Sequence, residues 1–319
     1  MITADQVRLL VLAAIRHDEA SIDWHVLARI AQLADGLDIL YRGIIPEDSQ
    51  DARKSLAVLR GGLDDLTSAQ ERVERELDVA QRNGARLTTV IDHDYPANLR
   101  LVPNLPPFLF YRGHLQPDDA YSIAVVGTRQ ASLDGLRRAA RMARELSGNG
   151  VHIYSGLARG VDSAAHTATL DSGGRTLAVI GTGISKCYPA ENKKLADRIA
   201  ENGAVLSQFW PSASPAKWTF PRRNITMSGL SQATCVIEAG STSGAKLQAR
   251  FAYEHGKQVF LLRSLTEAQP WAAKMLAERR AIAVEDSTTV INRLAQPERI
   301  AAAAAGRRQL ALDLFAEHV

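Results

Sequence analysis

Five short segments, four of them placed directly after a strand-length apolar run, hold most of the side chains in this sequence that could do chemistry. The first is Gly127-Thr128-Arg129, leading to Ser132 at the start of a helix-length segment. Backbone N–H groups at such a turn and at the helix start attract an anion. Thr128 and Ser132 can donate to phosphate, and Arg129 can grip it with a planar fork of donors. The glycine spacing does not match G-x-G-x-x-G, so a dinucleotide site is not indicated.

The second turn is Ser155-Gly156-Leu157-Ala158-Arg159-Gly160-Val161-Asp162, followed by Ala165-His166. Gly156 and Gly160 allow close backbone approach to a ligand. Asp162 suits a brace or cap for the turn. His166 lies four residues on, so the two share one helical face. They could form a proton-transfer pair, but no third group or activated nucleophile accompanies them, which favours a buried structural bond. The third turn, Gly181-Thr182-Gly183, runs on to Lys186, Cys187, Tyr188-Pro189 and Asn192, with Lys193 and Lys194 beyond. Cys187 stands without the Cys and His partners a zinc site needs. The fourth, Lys217-Trp218-Thr219-Phe220-Pro221-Arg222-Arg223-Asn224, mixes cations with aromatics. Aromatic faces stack on bases and cations track phosphates, which is the physical recipe for unpaired nucleic acid. The fifth, Glu238-Ala239-Gly240-Ser241-Thr242-Ser243-Gly244, offers a carboxylate that could hold a ribose or cap the next helix, and both remain open. The expected site therefore has no catalytic group, no metal and no cofactor.

These turns must be positioned by the runs before them: 122–126, 151–154, 176–180, 204–206, 234–237 and 258–262. Spaced about 25–30 residues apart with helix-length segments between, they fit βα units and a parallel sheet whose ligand site lies at the carboxyl ends of the strands. The spacing predicts a helix over 133–146 that exposes Arg137, Arg138, Arg141 and Arg144 to solvent and buries Leu136, Ala140, Ala143 and Leu146. Residues 86–121 read as a Pro-rich connector with two short strands, Arg86–Ile91 and Phe108–Tyr111. Residues 1–85 read as a small helical accessory domain. In it Val7, Leu10, Val11, Ala14 and Ile15 form one apolar stripe, and residues 64–82 form a charged, solvated helix. Residues 295–319 read as a helical packing tail.

The 319 residues carry a net charge of +3, unevenly spread: residues 1–90 hold 11 Lys and Arg against 15 Asp and Glu, and residues 91–294 hold 24 against 17. A basic centre beside an acidic start fits a polyanionic partner. Two cysteines make no disulfide framework and suit a reducing cytoplasm. Neither a signal peptide nor a membrane span is legible.

In order and spacing, the turns resemble the DNA-processing protein A family (DprA, also called Smf) from Leu87 to Leu262. The resemblance takes in Asp94-Tyr95-Pro96, Leu99, Pro107, Gly113, the turn at Gly127, Ser155 to His166, Gly181 to Asn192, Phe220 to Asn224, and Ser243-Gly244. It implies an α/β fold, an extended Rossmann-like, mostly parallel doubly wound sheet over 86–294, preceded by the helical block. It implies a non-enzymatic homodimer that binds single-stranded DNA without sequence preference, protects it in natural transformation and loads a RecA-type recombinase. Arg129 would hold a phosphate, Lys217 and Phe220 would supply a cation and a base-contacting aromatic, and Arg223 and Asn224 would line the same pocket. With Gly127, Thr128, Ser132, Ser155, Gly156, Gly160, Lys186 and Arg222 these make the predicted DNA-binding set. The chain departs from the family pattern at Ile225, Gln208 and Ala245-Lys246, and the winged-helix domain frequent at the family's C-terminus is not expected. The rival reading is a nucleotide sensor or nucleoside-monophosphate N-glycosidase on a related fold. That hydrolase family carries a Pro-Gly-Gly-x-Gly-Thr turn, which this sequence lacks.

Overall fold

The computed structural model describes residues 2–295 together with 299, 302, 303, 305 and 306. Most of the predicted tail lies outside the described residues. The chain opens with α1 (Ala4–Ala14), whose N-cap Thr3 exchanges side-chain and backbone bonds with Gln6 in a capping box. A short ladder, β1 (Arg16–His17) and β2 (Ala20–Ser21), follows. Next come α2 (Trp24–Ala31), capped by Asp23, then α3 (Gly36–Tyr41), α4 (Gln50–Leu63), capped by Ser49, and α5 (Thr67–Arg82). The α1 stripe differs from the expected one. Val7 is exposed, whereas Leu9 and Leu12 are fully buried beside Leu10, because neighbouring helices enclose α1 on most sides. α5 is amphipathic rather than wholly solvated: Ala69, Val73, Glu76 and Ala80 face inward.

Nine strands form the main sheet: β3 (Arg86–Thr89), β4 (Phe108–Gly113), β5 (Ser122–Val126), β6 (His152–Ser155), β7 (Thr176–Val179), β8 (Ala204–Ser207), β9 (Ala233–Val236), β10 (Gln258–Leu262) and β11 (Ile282–Val284). Their spatial order is β11-β10-β9-β5-β6-β7-β8-β4-β3. From β11 to β8 every pairing is parallel, as in Ala124 opposite Tyr154 and Val125 opposite Cys235. The seven parallel strands are nearly continuous apolar runs because helices cover both faces. The stretch read as a connector is part of this sheet. β4 pairs antiparallel with β8, and β3 antiparallel with β4. β11 carries too few apolar residues to stand out in the sequence.

The helices between and after these strands are α6 (Ala97–Arg100), α7 (Leu133–Gly148), α8 (Val161–Asp171), α9 (Lys193–Asn202), α10 (Thr219–Leu230), α11 (Gly244–Glu254), α12 (Arg263–Ala268), α13 (Pro270–Ala277) and α14 (Thr288–Ile291). In α7 the buried stripe is Gly135, Ala139, Met142, Ala143 and Leu146, turned from the expected one. Gly135 faces inward against Glu238, where a Cβ would lie 2.0 Å from the carboxylate oxygen. From β5 the chain steps outward through β6, β7 and β8, then returns through α10 to lay β9 on the other flank of β5. The order of strands reverses between β5 and β9, and the crevice outside their carboxyl ends is where such sheets bind ligands.

Candidate nucleic-acid interface

The β5 turn is built to hold Arg129 outward. The Thr128 N–H donates to the Glu238 carbonyl at 2.7 Å, tying the turn to the end of β9, and the Thr128 carbonyl accepts from the Val161 N–H at 3.3 Å. Gly160, at φ 75°, makes this closeness possible: a Cβ there would meet the Thr128 carbonyl at 2.4 Å. Gly127 is pressed against Val161 in the same way. Glu238 neither faces a ligand nor caps its own helix. It accepts from Ser132 N at 3.1 Å and from Ser132 Oγ at 2.7 Å, bracing the N-cap of α7.

Directly behind Arg129, the β6 turn encloses Arg223 and Asp162. Arg223 is buried, and its guanidinium donates to the carbonyls of Gly156 and Val179. A Cβ at Gly156 would lie 1.9 Å from the Arg223 Nη1, so the second glycine turn exists to admit this cation. Asp162 accepts the N–H groups of Gly156 at 3.2 Å and Ala158 at 3.3 Å. Burial pushes the Asp162 carboxyl upward, and the neighbouring Arg223 charge opposes that. Burial likewise pulls the Arg223 pKa down, opposed by Asp162. Asp162 and His166 do not pair with each other. His166 sits fully buried with Nδ1 at 2.7 Å from Thr176 Oγ1, and burial lowers it to about 3, so it stays neutral. Leu157 takes the left-handed conformation at φ 57° while almost fully buried, and its carbonyl accepts from Asn192 Nδ2 at 2.9 Å. This accounts for the asparagine at the end of the third turn.

The crevice itself is lined by Arg129, Gly156, Ala158, Arg159, Tyr188, Pro189, Phe220 and Arg223 and encloses about 50 Å³. Arg129 lies over the Phe220 ring, 5.3 Å from its centroid. Tyr188 packs against the same ring at 5.6 Å. Phe220 reaches this place over Gly181, where a Cβ would crowd the ring at 2.8 Å. Arg159 makes a two-pronged pair with Glu191, at 2.7 and 2.6 Å. The arrangement offers the exposed guanidinium of Arg129, a second held by Glu191, two aromatic faces and a buried cation below, which suits a phosphate beside an unpaired base.

Several predicted residues lie elsewhere or are already engaged. Ser155 is fully buried and donates to the Val125 carbonyl at 2.7 Å, so no ligand reaches it. The Ser132 hydroxyl gives its hydrogen to Glu238 and accepts from Gly135 N, leaving no free donor. Thr128 is half-buried and accepts from Gln130 N at 3.3 Å. Asn224 is buried and donates to the Gly244 carbonyl at 3.2 Å, outside the crevice. Arg222 lines a different cavity. Lys186 and Lys217 are exposed and are not among the residues that line the crevice. Sequence reasoning missed Tyr188 and Arg159 as crevice walls. Their signal was position, since each lies inside a glycine-bearing turn already singled out. Of the departures from the family pattern, Gln208 is buried and accepts from the Thr226 hydroxyl, Ala245 is buried, Ile225 is half-buried and Lys246 is exposed.

Among the described residues no group of His, Cys, Asp and Glu could hold a metal, and no helix is long and apolar enough to cross a membrane. The arginines of α7 are largely engaged: Arg137 with Asp134, Arg138 with Ser264 and Arg141 with the Glu285 carbonyl.

The sheet order and the crevice at its switch point place the chain among Rossmann-like proteins that present cations and an aromatic where dinucleotide-binding relatives present a glycine fingerprint. The sequence model described as DNA recombination-mediator protein A matches residues 86–295, and the chain belongs to this family, DprA/Smf. Protein Smf of Synechocystis sp. is 36% identical over 197 residues, covering 60% of this chain and 50% of that protein. The DNA processing protein DprA of Streptococcus pneumoniae is 40% identical over 174 residues, covering 54% of this chain and 61% of that one. The chain thus spans between half and two thirds of these curated relatives. The crystal structure of DprA from S. pneumoniae superposes with a TM-score of 0.72 at 27% identity, covering 93% of this chain and 99% of that one. A Helicobacter pylori DprA structure, described as giving insight into a single-stranded DNA binding mode, superposes with a TM-score of 0.58 at 27% identity, covering 65% of this chain and 94% of that one.

Proposed function

We propose that this chain is a sequence-independent single-stranded DNA-binding protein and recombination mediator, acting without catalysis. It would protect unpaired DNA taken up in transformation and hand it to a RecA-type recombinase, as a homodimer in the cytoplasm. The observation that carries the reading is the Arg129–Phe220 stack at the switch point, open to solvent above buried Arg223. A cavity of about 50 Å³ does not enclose a free nucleotide, since enclosed ligand sites run to about 300–1,000 Å³. A polymer lying across the opening needs no enclosure. Membership of a family described as recombination mediators, and the strand-binding structure from H. pylori, support the same reading. The test is a titration of labelled oligo-dT and of the matching duplex at two salt concentrations. Tighter binding of the single strand, falling steeply with salt, is expected. Equal affinity for duplex, or salt-independent binding, would overturn the proposal, as would release of free base from nucleoside monophosphates.

A further inference from the structure

The first turn of α10 points two ways. Phe220 and Arg223, three residues apart, face the crevice. Trp218 and Arg222, four apart, share another face of the same turn and line a cavity of about 510 Å³ between the sheet and the N-terminal helices. Its base is aromatic: Trp24 and Trp210 meet edge-on with centroids 6.2 Å apart, and Arg72 lies over the Trp210 ring at 5.0 Å. Trp218 is 60% exposed and meets Phe209 nearly edge-on at 5.8 Å, which leaves indole surface open to a ligand.

The charges of this cleft are one-sided once their partners are followed. Glu76 accepts from Ser212 N at 2.9 Å and Ser212 Oγ at 2.6 Å. Asp23 accepts from His25 N and Val26 N as the cap of α2. That leaves Asp51 facing Arg16, Lys54, Arg72 and Arg222. Lys54, Arg72 and Arg222 form no ion pair with a carboxylate among the described residues. Burial pulls the Arg72 pKa down, and the nearby Arg16 charge adds to this. An incoming anion would relieve that repulsion.

We propose that this cleft is a second nucleotide subsite, taking the part of a single strand that continues past α10 from the crevice. Its phosphates lie against Lys54, Arg72 and Arg222, and a base stacks on Trp218. The volume falls in the range of ligand sites, and cations interleaved with indoles suit nucleic acid better than an acidic peptide, which has no base to stack. The proposal rests on the crevice being a single-strand site, so its test separates the two.

The experiment uses the full chain, oligo-dT of increasing length, and two variants: Arg129→Ala in the crevice and the exposed pair Lys54→Glu with Arg222→Glu in the cleft. Thermal unfolding first confirms that each folds. Short oligonucleotides are expected to bind the cleft variant within about twofold of wild type. Long ones should bind it at least about tenfold more weakly, with the salt slope lower by about 1.4, or 0.7 for each of two lost phosphate contacts. Three of the four tryptophans line the cleft and none lines the crevice. Long strands but not short ones should therefore change the intrinsic fluorescence. If the cleft variant matches wild type at every length while Arg129→Ala weakens all, the subsite is refuted and the crevice reading stands. If Arg129→Ala also binds normally, the crevice reading falls and takes the subsite with it. Polyglutamate changing the fluorescence as strongly as oligo-dT would also refute it, marking a site for acidic peptide.

Discussion

Replacing Phe220 and Arg129 one at a time separates two contributions that their stacking merges. Phe220→Ala removes a surface on which one base can lie, worth about 1–3 kcal/mol, or about 5- to 150-fold in affinity. It removes no charge, so the slope of log affinity against log salt stays as in wild type. Arg129→Ala removes one charge-assisted contact of about 1.5–3 kcal/mol and lowers the slope by about 0.7. Because Arg129 sits 5.3 Å over the ring, each residue also holds the other in place, a contact of about 0.5–1 kcal/mol at an exposed site. The double variant should therefore lose less than the sum of the two by about that amount.

The assay is fluorescence anisotropy with labelled oligo-dT between about 50 and 200 mM salt, repeated with a mixed-sequence strand. Both losses should be the same for the two strands, since neither a phosphate nor a ring face reads sequence. Arg137→Ala is the control, because Arg137 is paired with Asp134 and away from the crevice, and it should change affinity less than about twofold. A slope that drops with Phe220→Ala, or one that stays fixed with Arg129→Ala, would show that the strand does not lie across this stack.

Other perturbations test the scaffold beneath. Asp162→Ala leaves the buried N–H groups of Gly156 and Ala158 without their acceptor and removes the nearby charge that opposes the burial of Arg223; a loss of about 1–3 kcal/mol is expected, read as a melting temperature several degrees lower, and an unchanged midpoint would refute the brace. Gly160→Ala forces φ 75° on a residue with a Cβ and drives it into the Thr128 carbonyl, so stability and DNA affinity should fall together by about 1–3 kcal/mol in stability. Gly150→Ala, also at positive φ but with open space around it, should lower stability alone. The pH dependence follows from His166, neutral in the fold with a pKa of about 3. Between pH 6.5 and 3 the unfolded chain binds a proton the folded one refuses, so stability falls as pH drops, by about 2 kcal/mol at pH 5. Melting curves of wild type and His166→Gln check this, and an equal decline in both would refute it.

The sheet was legible because its central strands are buried on both faces and therefore read as short apolar runs at even spacing. Runs 122–126, 176–180 and 258–262 each contain their strand, β5, β7 and β10. β11 was not, since Ile282 and Ala283 at the sheet edge are only half-buried and need no run. The antiparallel edge was legible as two short strands, β3 and β4, but their pairing into the main sheet was not. Prolines between β3 and β4 dominate the local pattern, while the pairing of Phe110 with Ser207 is set by residues a hundred positions apart. In α7 the buried stripe runs through Gly135, Ala139 and Met142, with Leu136 and Ala140 only half-buried, a rotation that apolar periodicity alone does not mark because the small residues on both faces read alike.

At the site, residue type alone favoured hydroxyls and guanidinium groups equally, and the structure divides them. Hydroxyls are short, so they are drawn into nearby backbone: Ser155 to Val125, Ser132 to the α7 cap. Buried Arg223 likewise spends bonds on two carbonyls, those of Gly156 and Val179. What remains exposed at the crevice from the set is its long, flexible and charged member, Arg129. Any affinity for a polyanion must then come mainly from cations, with aromatic faces adding stacking and few neutral donors adding direction. That division has a consequence for specificity. A site poor in fixed neutral donors would have little means to discriminate base edges, so a strand bound there is expected to be held without regard to sequence. Restoring a free donor at the rim, as in Ala158→Ser beside the half-buried Ala158 wall, should raise affinity for all strands by about the worth of one neutral hydrogen bond, 0.5–1.5 kcal/mol. A gain confined to one base would show that the crevice reads edges after all.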